Sequence, residues 1–356
     1  MVTAIIVNYH SHQLTIRAAA SVLADQPDAQ IVVVDNSESE AEAQALHAAL
    51  PAGVECLVSP ENIGFGRACN LGYSHARYEW ILLLNPDALV LDGCIAELVG
   101  FLQKTPRAGA VAPLVYWDVD QTWLAPPILM HTPFTEAGMA ILLRWPWLGN
   151  KISHIFRRWA LGCVKSEQPV ERAMLSGGHL LLRRSALEAA GGLFDPAFFM
   201  YFEDTDLCRR LSQSGSQLYL LTSARAVHEW HCTQDKTEVS AASRQHYFNK
   251  HFLKSRFLAL RMKLDQSALK IRLPLGTDLG VCCTAPVFSV PECMKGGWVL
   301  ELSPQPLLIP ALYCFGSGRE AYISEELWCR LGPGDYWVRI TSPSDGNSYR
   351  FHFGII

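Results

Sequence analysis

The chain has 356 residues, of which 49% are hydrophobic and 18% charged, and its formal net charge is -4. That is enough apolar material for one large α/β domain and a smaller one, and it excludes a disordered chain; the charge leaves no basic footprint for nucleic acid. Eleven cysteines, scattered with no Cys-x-x-Cys pair, argue against a disulfide framework or a zinc site and suit a reducing cytosol. The amino terminus, MVTAIIVNYHSH, lacks the charged and long apolar regions of a signal peptide, and no stretch approaches the ~20 apolar residues of a membrane-spanning helix. A cytoplasmic protein is expected, with membrane contact confined to its surface at the inner face.

Val2 to Val7 reads as a strand ending at Asn8 and Tyr9, Gln13 to Ala24 as a helix, and Gln30 to Val34 as a second strand ending at Asp35 and Asn36. A right-handed crossover makes the two strands parallel, so their polar ends border one crevice. Ser39 to Leu50 reads as a helix and Val54 to Val58 as a strand. In Pro60 to Gly72, PENIGFGRACNLG, Gly64 and Gly66 flank Phe65 and allow backbone amides close to a phosphate or ribose, with Arg67 in reach. Glycine pairs of this kind are more often structural. Ile81 to Leu89, ILLLNPDAL, is a buried strand stopped by Pro86, which puts Asp87 at the carboxyl end, where open α/β sheets bind ligands. A carboxylate there suits a hard cation on a diphosphate, and a plain Asn-Pro-Asp turn is the competing reading.

The order VNY, VVVDNS, NIGFGRACNLG and LLLNPDA resembles the amino-terminal half of a family 2 glycosyltransferase with the GT-A fold, in its rhamnosyltransferase-like branch. The resemblance implies that Asp35 contacts the nucleotide base and that Asn62 and Gly64 lie along the nucleotide. Asn8, Tyr9, Arg67, Asn70 and Asn85 join them as nucleotide-sugar candidates. It also implies that Asp87, the last acid of a DxD-like element, binds a divalent metal, Mg or Mn. Asn85 stands where the strict element has its first acid.

Asp92 to Gln103 reads as a helix and Ala108 to Val115 as a strand. An insertion over about 120–170 then loses clear periodicity, except that Ile152, Ile155, Phe156, Trp159, Ala160 and Cys163 recur at helical steps, with Lys151, His154, Arg157 and Arg158 between them. With Trp123, Arg144, Trp145 and Trp147 upstream, this suits the bilayer interface, or else an ordinary helix packed on its own domain. Ser176-Gly177-Gly178 opens a buried strand. The resemblance implies that Gly177 and Gly178 lie beside the acceptor and the donor phosphates; His179 is read as a packed histidine.

In Phe194 to Leu211, FDPAFFMYFEDTDLCRRL, the helix dipole and an Asp206–Arg210 pair account for acids in a first turn. They do not account for the aromatic lead-in, which desolvates Glu203 and Asp204 and raises the pKa of at least one. A carboxylate so placed takes a proton from a sugar hydroxyl. The resemblance implies that Asp204 is the general base of an inverting transfer, with Glu203 its neighbour. It also makes His228, in AVHEWH, a further metal ligand, with His231 as the alternative.

A basic helix is expected over about 240–264. Beyond it, short alternating strands between Gly and Pro turns fit a β-sandwich of roughly seven strands. The expected fold is thus a Rossmann-like mixed sheet over 1–268 and an all-β accessory domain over 269–356, a candidate for saccharide binding or self-association. The expected activity is metal-dependent transfer of rhamnose from dTDP-rhamnose, or of another sugar from a UDP-sugar, to a hydroxyl of a cell-surface or lipid-linked glycan. A sugar nucleotidyltransferase would need a basic glycine-rich loop after the first strand, and VNYHSHQ has none. A non-catalytic carbohydrate-binding protein is opposed by the retained Asp87, Asp204 and His228.

Overall fold

The run Val2–Asn8 is buried at every position and forms β1, as a strand covered on both faces must be. In the computed structural model, which describes residues 1–230, 237–265, 276–342 and 348–356, α1 (His12–Asp25) returns the chain to β2 (Gln30–Asp35). β2 is parallel to β1, and Asn8 lies opposite Asp35. α2 (Glu40–Ala49), β3 (Glu55–Val58) and α3 (Phe65–Ser74) follow, and β4 (Trp80–Leu84) adds to the other side of β1. The order β3-β2-β1-β4 is parallel throughout, so the polar strand ends gather along one edge.

β5 (Ala88–Val90) and α4 (Cys94–Lys104) lead to β6 (Ala108–Tyr116). The insertion carries more structure than the one helix its periodicity shows: β7 (Trp123–Leu124), α5 (Pro133–Leu142), α6 (Pro146–Val164) and β8 (Val170–Arg172). β9 (His179–Arg183) then runs antiparallel between β4 and β6. α7 (Arg184–Ala189) and α8 (Glu203–Gln213) precede β10 (Gln217–His228), a single strand parallel to β6 with a shift of register between Leu221 and Arg225. The basic helix expected over 240–264 is two helices, α9 (Thr237–Phe252) and α10 (Arg256–Asp265).

Seven strands complete the described chain: β11 (Thr277–Val281), β12 (Val287–Ser289), β13 (Trp298–Ser303), β14 (Leu312–Gly316), β15 (Glu320–Tyr322), and, after the short α11 (Glu325–Trp328), β16 (Gly334–Thr341) and β17 (Ser348–Ile355). Five of them form the sheet β11-β17-β16-β13-β14, and β12 pairs with β15. Phe288 and Ala321 of the small sheet share a core with Leu300, Val338 and Ile340 of the large one. The boundary expected near 268 lies outside the described residues. This sandwich does not stand alone. β14 pairs with β7 through Tyr313 and Cys314, and β7 meets β6 at Tyr116, so the two sheets join edge to edge.

The inner face of α6 seals the junction, with Phe156, Ala160 and Val164 packed on Val299, Leu307 and Tyr313. Arg157, which helical spacing placed among the basic residues, is buried and pairs with Glu301 at 3.1 Å. Glu301 is also paired with the fully buried Arg339, whose Nη1 donates to Ser153 Oγ at 3.0 Å.

Candidate active site

The carboxyl ends of β1 and β2 form the first part of the site. Asn8 is fully buried, and its Nδ2 donates to Asp35 Oδ1 and Ser37 Oγ at 3.0 Å each. The expectation that Asn8 faces a ligand is therefore corrected: its amide is fully engaged in holding Asp35. Asp35 is 1% exposed, and its Oδ2 has no partner within the protein. A buried acceptor left open is costly, and this one, beside the partly exposed Tyr9, is placed to receive a ligand N–H. Asn36 donates to Asn62 Oδ1 at 2.8 Å, and the same oxygen accepts from the Gly64 amide at 3.0 Å. The Asn62 carboxamide thus ties its loop to β2.

The glycine loop differs from expectation. Gly64 has φ +82°, and a Cβ there would lie 2.4 Å from the Phe199 carbonyl oxygen, which accepts from the Phe65 amide at 2.7 Å. Of the loop amides, that of Phe65 is taken by the aromatic segment before α8 and that of Gly64 by Asn62. Asn70 is likewise engaged, donating to the Phe194 carbonyl at 2.8 Å and accepting from its amide at 3.0 Å. The exposed Arg67 donates to Pro196 O at 2.7 Å. These four positions fasten α3 to the segment carrying Glu203 and Asp204.

Asn85, Pro86 and Asp87 follow β4, and Asp87 Oδ1 lies 3.2 Å from His228 Nε2 at the end of β10. Two donors at that spacing form one edge of an octahedron with bonds of about 2.1 Å, so this pair fits a hard divalent cation. No group of three or more ligating side chains occurs among the described residues. Asn85 Oδ1 is buried without a partner, and Asn85 Nδ2 lies 3.4 Å from His228 Nε2. Nδ1 of His228 lies 3.3 Å from Nδ1 of His179, whose pKa is lowered to about 3 by burial and by His228. The indole of Trp230 stacks on the His228 ring at 4.1 Å. His231 lies outside the described residues.

Glu203 and Asp204 open α8 behind two consecutive left-handed residues, Tyr201 (φ +69°) and Phe202 (φ +64°). Such conformations cost about 1–3 kcal/mol each and persist where the surroundings hold them. Asp204 lies deep but keeps one side open; burial raises its pKa, against hydrogen bonds from the Gly177 amide to Oδ2 at 3.2 Å and from the Thr205 amide to Oδ1 at 2.7 Å. Glu203 is 5% exposed, its Oε2 has no partner, and burial together with the Asp204 charge pushes its pKa up to about 8. The proton of the pair belongs on Glu203, because Asp204 has donors for its charge and Glu203 does not. Asp206 belongs to neither role: although burial raises its pKa, hydrogen bonds from Lys250, Arg210 and His251 hold it below the usual carboxylate range.

Gly177 and Gly178 connect the two centres. A Cβ on Gly177 would sit 3.2 Å from Asp204 Cβ, and one on Gly178 would sit 2.8 Å from His228 Cε1 and 2.9 Å from Asn85 Nδ2. Consecutive Cα atoms are ~3.8 Å apart, so one short segment passes from Asp204 to the Asp87–His228 pair. A residue that the sequence reasoning missed stands close by. His131 lies against the Phe202 ring with centroids 4.9 Å apart, and its Nδ1 is 3.0 Å from Glu136, which also pairs with Arg244. Its positive charge, when present, counters the rise in the pKa of Asp204.

Residues 3–188 match the family model described as Glycosyl transferase family 2. An N-acetylglucosaminyl-diphospho-decaprenol L-rhamnosyltransferase of Mycobacterium tuberculosis (strain ATCC 25618 / H37Rv) is 31% identical over 221 residues, 59% of this chain and 69% of that protein. Rhamnosyltransferase WbbL of Escherichia coli (strain K12) is 27% identical over 274 residues, 73% and 92% of the two chains. Among solved structures, the mannosyltransferase PcManGT from Pyrobaculum calidifontis, in complex with GDP-Man and Mn2+, aligns at a TM-score of 0.46 and 17% identity, over 75% of this chain and 70% of that one.

Proposed function

This chain belongs to glycosyl transferase family 2, and from that premise we propose that it is an inverting rhamnosyltransferase acting from dTDP-rhamnose on a hydroxyl of a lipid-linked glycan at the inner face of a membrane. The observation that carries this reading is the Gly177–Gly178 junction, with a partly open carboxylate on one residue and the Asp87–His228 pair on the next. The lipid-linked acceptor and the donor sugar are carried over from the names of the relatives.

In this mechanism Asp35 receives an N–H of the base through its open Oδ2, with Asn8 fixing its orientation and Tyr9 beside the ring. Asp87 and His228 would hold a divalent metal, which when bound would supply Lewis-acid stabilisation of the leaving group. Asp204, ionised while Glu203 keeps the proton, accepts the acceptor's hydroxyl proton as its oxygen bonds to the anomeric carbon. The carbon–phosphate oxygen bond breaks on the opposite face, and dTDP departs.

The test is a transfer assay with dTDP-rhamnose, UDP-sugars and a diphospholipid-linked N-acetylglucosamine acceptor, with and without manganese. The proposal expects rhamnosyl product only with the dTDP donor, at inverted anomeric configuration, and only with metal. Product from a UDP-sugar alone, or with retained configuration, would overturn it.

A further inference from the structure

The outward side of the insertion carries a chemistry that the cleft does not use. α6 turns Phe156, Ala160 and Val164 inward, yet its outer face is also apolar. Trp147 is 69% exposed, Ile155 47% and Trp159 36%, and the exposed Lys151 and Arg158 fall between them on the same stripe. An ordinary amphipathic helix gives that face to polar residues. α6 has no acidic residue at all.

The stripe continues onto its neighbours. The first turn of α6 packs on the end of α5, where a Cβ on Gly149 would meet the Leu142 carbonyl at 2.6 Å. α10 lies along α5, and Phe134 of α5 meets Phe257 of α10 edge to face at 5.8 Å although both rings are more than half exposed. Lys254 and Arg256 stand exposed beside them. The acid on α5, Glu136, is taken by His131 and Arg244, so the exposed side of the patch is aromatic, aliphatic and basic. Interleaved Trp, Phe and Lys or Arg match the headgroup boundary of an anionic bilayer, where rings sink to the acyl border and cations meet lipid phosphates.

We infer that the outer faces of α5, α6 and α10 are a docking surface that seats the protein on an anionic lipid bilayer. The residue next to α5, His131, touches Phe202 beside Asp204, so the docked face adjoins the acceptor side of the cleft. The bilayer as source of the acceptor rests on the function proposed above; the docking surface itself does not.

Co-sedimentation of the full chain with vesicles of phosphatidylglycerol and phosphatidylethanolamine, against pure phosphatidylcholine, tests it. Binding to the anionic vesicles should weaken with added salt and fall about tenfold or more in a Trp147→Ser/Ile155→Ser variant and in a Lys151→Glu/Arg158→Glu variant, with the melting temperature unchanged. Failure to bind anionic vesicles, or equal binding by both variants, overturns the inference. So does a shift from dimer to monomer on Trp147→Ser in sedimentation velocity, which would make the face a contact between copies. Transfer to the diphospholipid-linked acceptor dispersed in detergent, without vesicles, reports separately: its absence in a chain that binds vesicles refutes the proposed function and leaves the surface standing.

Discussion

Replacing Glu203 with Gln tests the charge assignment on which the base depends. Glu203 would release its proton near pH 4.5 in an unfolded chain and keeps it to about pH 8 here. Between those values the folded protein binds more protons than the unfolded one, so the stability that the protonated form contributes is complete below pH 4.5 and lost as pH rises through 8. At ~1.4 kcal/mol per pH unit, the wild type should lose about 3 kcal/mol relative to Glu203→Gln between pH 5 and pH 7.5. A constant offset from the new amide, whose N–H groups meet the unpartnered space at Oε2, cancels in that difference. Urea unfolding of both proteins across the range reads it directly. Parallel stability curves would mean that Glu203 is already ionised; if Asp204→Asn then produced the slope instead, the proton would belong to Asp204, and Asp204 could not act as the base near neutrality.

Asp204→Asn itself should lower kcat for transfer by ~10²–10⁴-fold, leaving dTDP-rhamnose affinity by calorimetry near wild type; a full transfer rate would assign the base elsewhere. Asp87→Ala and His228→Ala should each weaken manganese binding about tenfold or more, read by electron paramagnetic resonance of the free ion with donor present. Unchanged binding in either would detach that side chain from the metal. Gly178→Ala forces a methyl to within 3 Å of His228 and Asn85 and should cost ~1–3 kcal/mol of stability together with metal affinity, whereas a wild-type melting temperature would show the junction is loose.

The parts of the site that the sequence revealed are those set by strand ends. The apolar runs of β1 and β2 stop at Asn8 and Asp35, that of β4 stops at Leu84 with Asp87 three residues beyond, and a parallel sheet brings such ends together whatever lies between. The aromatic lead-in to α8 likewise marked Glu203 as desolvated. What sequence could not show is which polar groups are consumed internally. Asn8 and Asn70 look like ligand-binding carboxamides, yet each meets protein partners at about 3 Å, among them Asp35 and Phe194, which are 27 and 124 residues away in the chain. Gly64 looks like a phosphate loop until Phe199 is seen to occupy its approach. α5 has a readable start, because the Thr132 side chain accepts from the Thr135 amide, Thr135 returns the bond to the Thr132 backbone, and Pro133 takes the first helical position. The partly apolar outer face of α6 blurred the choice between membrane and core, since both of its faces satisfy the same periodicity.

The carboxy-terminal strands are better understood as an extension of the catalytic sheet than as a module hung behind it. Arg330, next to α11, donates to the Trp117 carbonyl at 2.7 Å and stands 3.5 Å from Glu229, which also pairs with Arg17 of α1. Trp117 in turn donates from its indole to the Glu229 carbonyl at 2.7 Å and meets Trp230 edge-on at 5.6 Å, and Trp230 stacks on His228. The residue following His228 is therefore gripped from both ends of the chain, and the imidazole is clamped between Trp230 and His179. A β-domain with a purely separate binding role would need none of these buried contacts. Their placement beside His228 gives the accessory strands a mechanical part in fixing that side chain, at the same time as Glu301 and Arg339 anchor α6 through Arg157 and Ser153.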